Sequence, residues 1–252
     1  MSPYLSVVIP AYNEETRLPD TLNLVRAFCD GKSFAYEVFV VDDGSTDGTA
    51  TAVERAAASW PALRLLRNPG NRGKGYSVRH GMLEARGEFV LFSDTDLSAP
   101  IEETDNMLEK LEEGFDVAIG SRALRRELIG RHQSIFRETA GQMFNLAVRF
   151  ATGLGFHDTQ CGFKLFRHAA AQAIFSRQRL EGFGFDVEVL YLAKKLRFSV
   201  AEVPVRWNHS PGTKVRMLSH GLEMLADLWR IRWWDWSGKY ESAQPPGVER
   251  HR

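Results

Sequence analysis

Short apolar runs recur through the first half of the chain. Each gives way to a loop and then to a segment of helical period. Leu5–Ile9, Glu37–Val41, Leu63–Leu66, Phe89–Phe92 and Asp116–Gly120 read as strands. Between them, Leu18, Leu22, Val25 and Phe28 fall on one helical face. An Ala-rich helix runs to about Ser59, another to about Ala85, and Ile101–Glu113 carries Met107, Leu108 and Leu111 on a third apolar stripe. Strands joined through helices are parallel, and their crossovers cover the sheet. The rhythm therefore predicts an α/β fold: a mainly parallel sheet with helices on both faces. Such sheets bind ligands outside the carboxyl ends of their strands. The loops that follow the strands are where function is to be sought.

Those loops are acidic. The run Phe89–Phe92 passes through Ser93 into Asp94, Thr95 and Asp96, with Pro100 able to open the next helix. Two hard oxygen donors this close suit Mg²⁺ or Mn²⁺, which in such sites also takes oxygens from a substrate's phosphates. An Asp pair also makes turns and caps, so the spacing alone does not decide. Pro10–Glu14 follows the first strand, and Asp42-Asp43-Gly44-Ser45-Thr46-Asp47 follows the second. Thr46 or Asp47 can cap the helix after it. Capping does not explain acids at three of the strand ends. Glu14, Asp42, Asp43, Asp94 and Asp96 in one cleft would repel one another, and a bound cation relieves that. The loop Gly70-Asn71-Arg72-Gly73-Lys74-Gly75 has neither the spacing of a phosphate loop nor that of a dinucleotide fingerprint. Its amides can still cradle an anion. Lys74 opens a helix, where positive charge opposes the dipole, and this marks it as functional rather than as part of a plain turn.

The second half differs. Arg122, Arg125, Arg126, Arg131, His132 and Arg137 cluster with only Glu127 against them. A solvated face and a phosphate clamp both fit; beside a metal cleft the clamp is preferred. Phe136–Phe150 and Phe183–Leu196 read as helices, and Phe163–Phe166 as a strand. Val200–Trp207 is a further strand that Pro204 places at an edge. From Val215 a helical stripe runs through Leu218, Leu222, Leu225, Trp229, Trp233 and Trp236, with the leucines read as core. Trp229, Trp233, Trp234 and Trp236 lie within eight residues, interleaved with Arg230 and Arg232. Both a protein partner and a membrane surface use this combination, and the membrane is preferred. The expected organisation is a catalytic domain over 1–214, a Trp-rich amphipathic helical segment over 215–236 and a disordered tail over 237–252.

Lys plus Arg equals Asp plus Glu, 32 each, so the chain lacks the basic excess of a nucleic-acid binder. Its two cysteines, Cys29 and Cys161, lack metal-type spacing and suit a reducing compartment. Met1–Pro10 has no signal-peptide pattern, and no run of roughly 18 apolar residues suggests a spanning helix. The expected location is cytoplasmic, peripheral on the cytoplasmic face of a membrane.

Taken in order, Val7–Glu14, Val41–Asp47, Asn71–Gly75 and Ser93–Leu97 resemble the motif series of the family 2 inverting glycosyltransferases. Asp158–Lys164, Phe185–Glu188 and Glu202–Val205 resemble the branch that makes polyprenyl-phosphate sugars, nearest to the dolichyl-phosphate β-glucosyltransferases. The resemblance spans about residues 5 to 235. It implies a GT-A fold and a nucleotide-sugar donor, UDP-glucose. Pro10, Ala11, Tyr12, Glu14, Asp42, Lys74, Asp94 and Thr95 would bind that donor. Asp94 and Asp96 would meet the metal, Mg²⁺ or Mn²⁺. Asp96, Arg122, Asp158, Gln160, Lys164 and Asp186 would form the catalytic set. Ser98 stands where the related mannose synthases often carry Gln as a further metal ligand. Yeast and animal relatives add an N-terminal membrane helix that Met1–Pro10 does not resemble, so anchoring is expected to fall to other elements or to be missing.

The chemistry follows from charge. Departure of a nucleoside diphosphate needs a counter-charge, and attack from the opposite face inverts the sugar carbon. A lipid-phosphate acceptor is already ionised near neutral pH and needs only positioning, for which Arg122, Arg131 and Lys214 are candidates. A hydroxyl acceptor would need a base, and Asp158, Asp186 or Glu188 could serve, although each can equally be structural. GDP-mannose as donor and a glycan hydroxyl as acceptor are the alternatives within the class. A nucleotidyltransferase is the alternative outside it. It would want a basic Gly-rich loop after the first strand, where this chain has Pro10-Ala11-Tyr12-Asn13-Glu14.

Overall fold

A strand covered on both faces must be apolar at consecutive positions, and the first one is. In β1 (Leu5–Ala11), Leu5, Val7 and Ile9 enter the core on one side of the sheet and Val8 enters the core on the other. The structure is a computed structural model that describes residues 2–124, 129–131, 145–208 and 217–241. In chain order the elements continue as α1 (Leu18–Asp30), β2 (Tyr36–Asp42), α2 (Thr49–Ala57), β3 (Leu63–Arg67) and α3 (Lys74–Glu84). Next come β4 (Phe89–Ser93), α4 (Glu103–Glu112), β5 (Val117–Ser121) and β6 (Ile129–Arg131). Helix α5 covers 145–152. The chain then forms β7 (Phe163–Arg167), α6 (His168–Phe175), α7 (Phe185–Lys195), β8 (Val200–Pro204), β9 (Trp207–Asn208) and α8 (Met217–Trp236).

The main sheet has the order β3-β2-β1-β4-β7-β5-β8, and β6 pairs with β9 in a separate ribbon. All pairings in the main sheet are parallel except those of β7, which runs antiparallel between β4 and β5. Helices α1, α2 and α4 supply one core, and α3, α5, α6, α7 and α8 supply the other. The predicted α/β architecture is therefore present, with Pro204 at the edge as expected. Phe163–Phe166 is a strand, but its direction and the helix α6 after it were not anticipated. The predicted helix over Phe136–Phe150 is seen from residue 145, and its earlier part lies outside the described residues.

The C-terminal part belongs to the fold more closely than the sequence suggests. Leu228 and Ile231 of α8 are buried in the core. Tyr240, within the segment expected to be a disordered tail, is buried and donates its hydroxyl to Glu188 at 2.7 Å. Residues 242–252 lie outside the described residues. Glu188 also accepts the N–H groups of Arg179 and Leu180. Burial pushes its carboxyl up to about 7 despite these donors. The folded chain thus holds this proton more tightly than the unfolded one. The stability it contributes is complete below about 4.5 and is lost as pH rises through about 7. Thermal melts across that window should show Glu188→Gln gaining on the parent as pH rises; parallel melting curves would refute the assignment.

Candidate active site

The chain leaves β1 for β2 and β3 on one side, then returns to place β4 on the other. The carboxyl ends of β1 and β4 thus flank a topological switch point, where open α/β sheets leave a crevice. A cleft of about 540 Å³ opens there. Pro10, Ala11, Tyr12, Glu14 and Arg17 line it from the β1 side, and Asp94, Thr95 and Asp96 from the β4 side. Asn71, Gly73, Lys74 and Ser77 form a further wall, with Asp43 beneath. Gly182 and Phe183 precede α7, and Glu223, Met224 and Asp227 come from α8.

Hydrogen bonds fix these loops to one another. Thr95 donates its hydroxyl to the Pro10 carbonyl at 2.6 Å and joins the two strand ends. Asp43 accepts the Asn68 amide and the N–H groups of Arg72 and Gly73 at 2.8, 3.0 and 2.7 Å, so it shapes the glycine-rich loop. Gly44 has φ +72°, and a Cβ there would meet Gly70 backbone at 2.6 Å; only glycine lets the two loops approach. Asp42, which the resemblance placed on the nucleoside, accepts the Ser45 N–H at 3.2 Å and is not among the lining residues. Asp47 accepts the Thr49 N–H at 3.0 Å at the start of α2.

At the centre, Lys74 and Asp94 form an ion pair at 2.7 Å. This explains a lysine in the first turn of α3, where the helix dipole disfavours it. Gly162 packs directly on Asp94: a Cβ there would sit 2.0 Å from the carboxylate. The Gly162 carbonyl accepts the Asp94 N–H at 3.0 Å. Burial pushes the Asp94 carboxyl up, and Asp96 and Asp186 add to this against Lys74. Burial alone would lower Lys74, but Asp94, Asp186 and Asp96 together hold it above its ordinary value. The two partners shift upward together for different reasons: burial chiefly raises Asp94, and the surrounding carboxylates raise Lys74.

The resemblance put Lys164 and Asp186 in the catalytic set, Asp186 also as a possible base or a structural residue. Both are instead buried, paired with each other, and Lys164 also donates to the Cys161 carbonyl at 2.7 Å. The cause is the reversed direction of β7, which sets Lys164 opposite Phe92 of β4, inside the sheet. Arg122 and Asp158 form a bidentate pair, with contacts of 2.6 and 2.8 Å. Asp158 also accepts the N–H groups of Arg122 and Gln160, and the nearby guanidinium holds its carboxyl below the usual range against the effect of burial. Buried polar atoms without partners adjoin this pair: Ser121 Oγ, Thr159 Oγ1, Gln160 Nε2 and Trp207 Nε1. Each of the four can donate a hydrogen bond. Lys214, Arg125, Arg126, His132, Arg137 and the side chain of Arg131 lie outside the described residues.

The metal expectation can be tested on the donors. Asp96 accepts the Ser98 N–H through one oxygen, at 3.0 Å, and Asp94 is engaged by Lys74. Among the described residues no three His, Cys, Asp or Glu side chains group to hold an ion. Two carboxylates in a spot with surplus negative charge fit a hard cation that takes its remaining oxygens from a diphosphate and water. Asp96 fits as the protein's ligand.

Sequence reasoning missed the α8 wall, and within α8 it misassigned Leu225 and Trp234. Trp229, Trp233 and Trp236 are exposed and in contact in series: Trp229 stacks on Trp233 with ring centroids 5.5 Å apart, and Trp236 meets Trp233 tilted at 5.2 Å. Trp234 instead turns inward and packs edge-on against Tyr240. Leu225, read as core, is exposed one turn before Trp229. The side chains of Leu218 and Leu222 lie outside the described residues. Leu146 and Phe150 of α5 are also exposed, Phe150 at 95 %.

The profile of glycosyl transferase family 2 matches residues 6–175, and the chain belongs to that family; it is a glycosyltransferase. It is similar to the dolichyl-phosphate β-glucosyltransferase of Dictyostelium discoideum, 38 % identical over 242 residues, covering 91 % of this chain and 74 % of the relative. The enzymes of that name from Drosophila melanogaster and Homo sapiens are 40 % and 37 % identical, each covering 90 % of this chain and 74 % of the relative. Among solved structures, glucosyl-3-phosphoglycerate synthase of Mycobacterium tuberculosis with phosphoglyceric acid superposes with a TM-score of 0.66. It shares 19 % identity and covers 91 % of this chain and 80 % of that one. The fold is the GT-A fold.

Breaking a buried ion pair from one side leaves an uncompensated charge. Lys164→Met should therefore cost ~3–5 kcal/mol of unfolding free energy, and Lys164→Met with Asp186→Leu should recover most of it. Urea denaturation reads both; an unaltered midpoint in the single variant would return Lys164 to the cleft.

Proposed function

We propose that the protein transfers glucose from UDP-glucose to a polyprenyl, dolichyl-type phosphate with inversion at the sugar carbon. The observation that carries this reading is the state of the three carboxylates offered as a base. Asp158 is bound by Arg122, Asp186 by Lys164, and Glu188 lies beneath Tyr240. A hydroxyl acceptor requires a base. A phosphate monoester, with a second pKa of about 6, brings an oxygen that is already ionised. The names of the relatives support a lipid phosphate and glucose. A fold neighbour crystallised with Mn²⁺ and UDP-glucose supports the donor and a divalent ion, as do the oxygens of Asp94 and Asp96.

In this reading Pro10, Ala11 and Tyr12 hold the nucleoside, and Lys74 keeps Asp94 in place beside the diphosphate. A divalent ion held by Asp96 would neutralise charge on the departing diphosphate. The acceptor oxygen attacks the anomeric carbon, the bond to the UDP oxygen breaks, and its electron pair leaves with UDP. Arg122 and the donors of Ser121, Thr159, Gln160 and Trp207 are suited to orient the acceptor phosphate, since each is a donor and none repels an anion. Arg131 and Lys214 remain candidates for the same task. The exposed Trp229, Trp233 and Trp236, with Leu225, dock the enzyme on a bilayer. No helix among the described residues is long and apolar enough to cross a membrane. The free thiols Cys29 and Cys161 suit the reducing, cytoplasmic side of that membrane.

The direct test supplies purified protein and Mg²⁺ with radiolabelled UDP-glucose, with and without a polyprenyl phosphate, and counts label in the organic phase. Lipid-phase label dependent on the acceptor is expected, with a loss on the order of 10²-fold or more in Asp96→Ala. Label from GDP-mannose in its place would change the sugar. Donor hydrolysis without lipid label would favour a hydroxyl acceptor.

Membrane docking has its own test. Replacing Trp229, Trp233 and Trp236 together by Ser should cut sedimentation with anionic vesicles at least about tenfold. The exposed positions leave the melting temperature near that of the parent; undiminished sedimentation would remove the assignment.

A further inference from the structure

The cleft has one wall that the motifs do not account for. Asp227 of α8 lines it, yet the residue is only 6 % exposed. Its carboxylate is held from two sides. Arg230 donates to one oxygen at 2.9 Å. The other oxygen lies over Gly184, where a Cβ would come within 2.4 Å. Burial pushes the carboxyl up, with Arg230 opposing. A carboxylate this confined at the edge of a cleft is costly unless a ligand or a fixed neighbour uses it.

What it can meet follows from charge. The cleft already has a place for the anionic part of a nucleotide sugar, at Lys74 and the Asp94–Asp96 oxygens. A further carboxylate, on the α8 wall, repels a diphosphate and an acceptor phosphate alike. It accepts well from hydroxyl groups, and charge-assisted bonds of that kind are the stronger ones. The neutral, hydroxyl-rich portion of the donor is its hexose. Phe183 and Met224 line the same cleft, and their apolar character suits the C–H face of a pyranose. Walls that are apolar with a few fixed polar groups set a ligand's orientation.

We propose that Asp227 is a donor-sugar binding residue, accepting hydroxyls of the hexose from the wall that α8 contributes. The assignment rests on the nucleotide-sugar reading of the cleft. Arg230 and Gly184 act as positioning residues, one by holding the carboxylate and the other by leaving room for it.

Equilibrium titration in Mg²⁺ with UDP-glucose, and separately with UDP, distinguishes sugar recognition from structural damage. Asp227→Asn should weaken UDP-glucose about 10- to 100-fold, the range of a charged hydrogen bond, and leave UDP unchanged. Gly184→Ala keeps the carboxylate but displaces it, and should show the same selective loss. Retained UDP binding demonstrates a folded cleft in either variant. Equal loss of both ligands, or of neither, would overturn the assignment. So would a collapse of turnover at an unchanged affinity ratio, which would make Asp227 a base. A parent protein that binds neither ligand would sink the nucleotide-sugar reading itself, and this inference with it.

Discussion

Asp94 has no room to move, and the site is built around that fact. Its N–H donates to Gly162, its carboxylate touches the same glycine, and Lys74 closes it from the front. Two distant segments must meet for this to happen. Strand β4 brings the carboxylate to its carboxyl end, and β7 must start at that same edge to present Gly162. Only a reversed strand inserted between β4 and β5 starts where its neighbours finish. The exception to the parallel pattern is thus what makes the carboxylate rigid. A rigid carboxylate at the cleft is worth this much construction because misplacing a reacting group by an ångström can cost on the order of 10²-fold in rate.

Around it, charge is arranged in pairs with one imbalance left over. Arg122 is matched by Asp158 and Lys164 by Asp186. Lys74 faces both Asp94 and Asp96, and burial, with Asp96 and Asp186 adding to it, raises Asp94 even beside its cation. The pairs give stiffness and remove the obvious bases. The imbalance is an attraction for a divalent ion brought in with a diphosphate. A site so ordered favours an acceptor that carries its own negative oxygen, and the unpartnered donors near Arg122 are of the right kind to receive one.

The local part of this was legible in the sequence. Strands with residues that serve both cores announce themselves as apolar runs, and helices at successive crossovers announce themselves by period, so the sheet and the positions of Pro10–Glu14, Lys74, Asp94 and Asp96 could be read directly. What could not be read were pairings between segments far apart in the chain. Lys164 looks like a site lysine beside Gly162 until Asp186, 22 positions on, is known to cover it. Asp42 and Asp43 are adjacent and chemically identical, yet Asp43 lines the cleft and Asp42 is consumed by a turn. In α8 two apolar faces overlap, one through Leu228, Ile231 and Trp234 and the other through Leu225, Trp229, Trp233 and Trp236. A single periodic stripe drawn through such a helix necessarily mixes them.

That double character has a mechanical consequence. The inward face of α8 is anchored by Ile231 and Leu228, each worth roughly 1.5–3 kcal/mol when buried. Asp235, which accepts from Lys195 and Tyr191 of α7, and the Tyr240–Glu188 bond fasten its far end. The helix is therefore a rigid part of the domain, and its exposed tryptophans are fixed relative to the cleft. Docking that face on a bilayer would set the height of Asp227, Lys74 and Asp96 above the lipid to within the play of a packed helix. A flexible tether would hold the enzyme near its acceptor but leave the acceptor oxygen and the sugar carbon to find each other by diffusion. On the proposed docking, a helix shared between cleft and membrane would convert surface binding into orientation, which a tether cannot do.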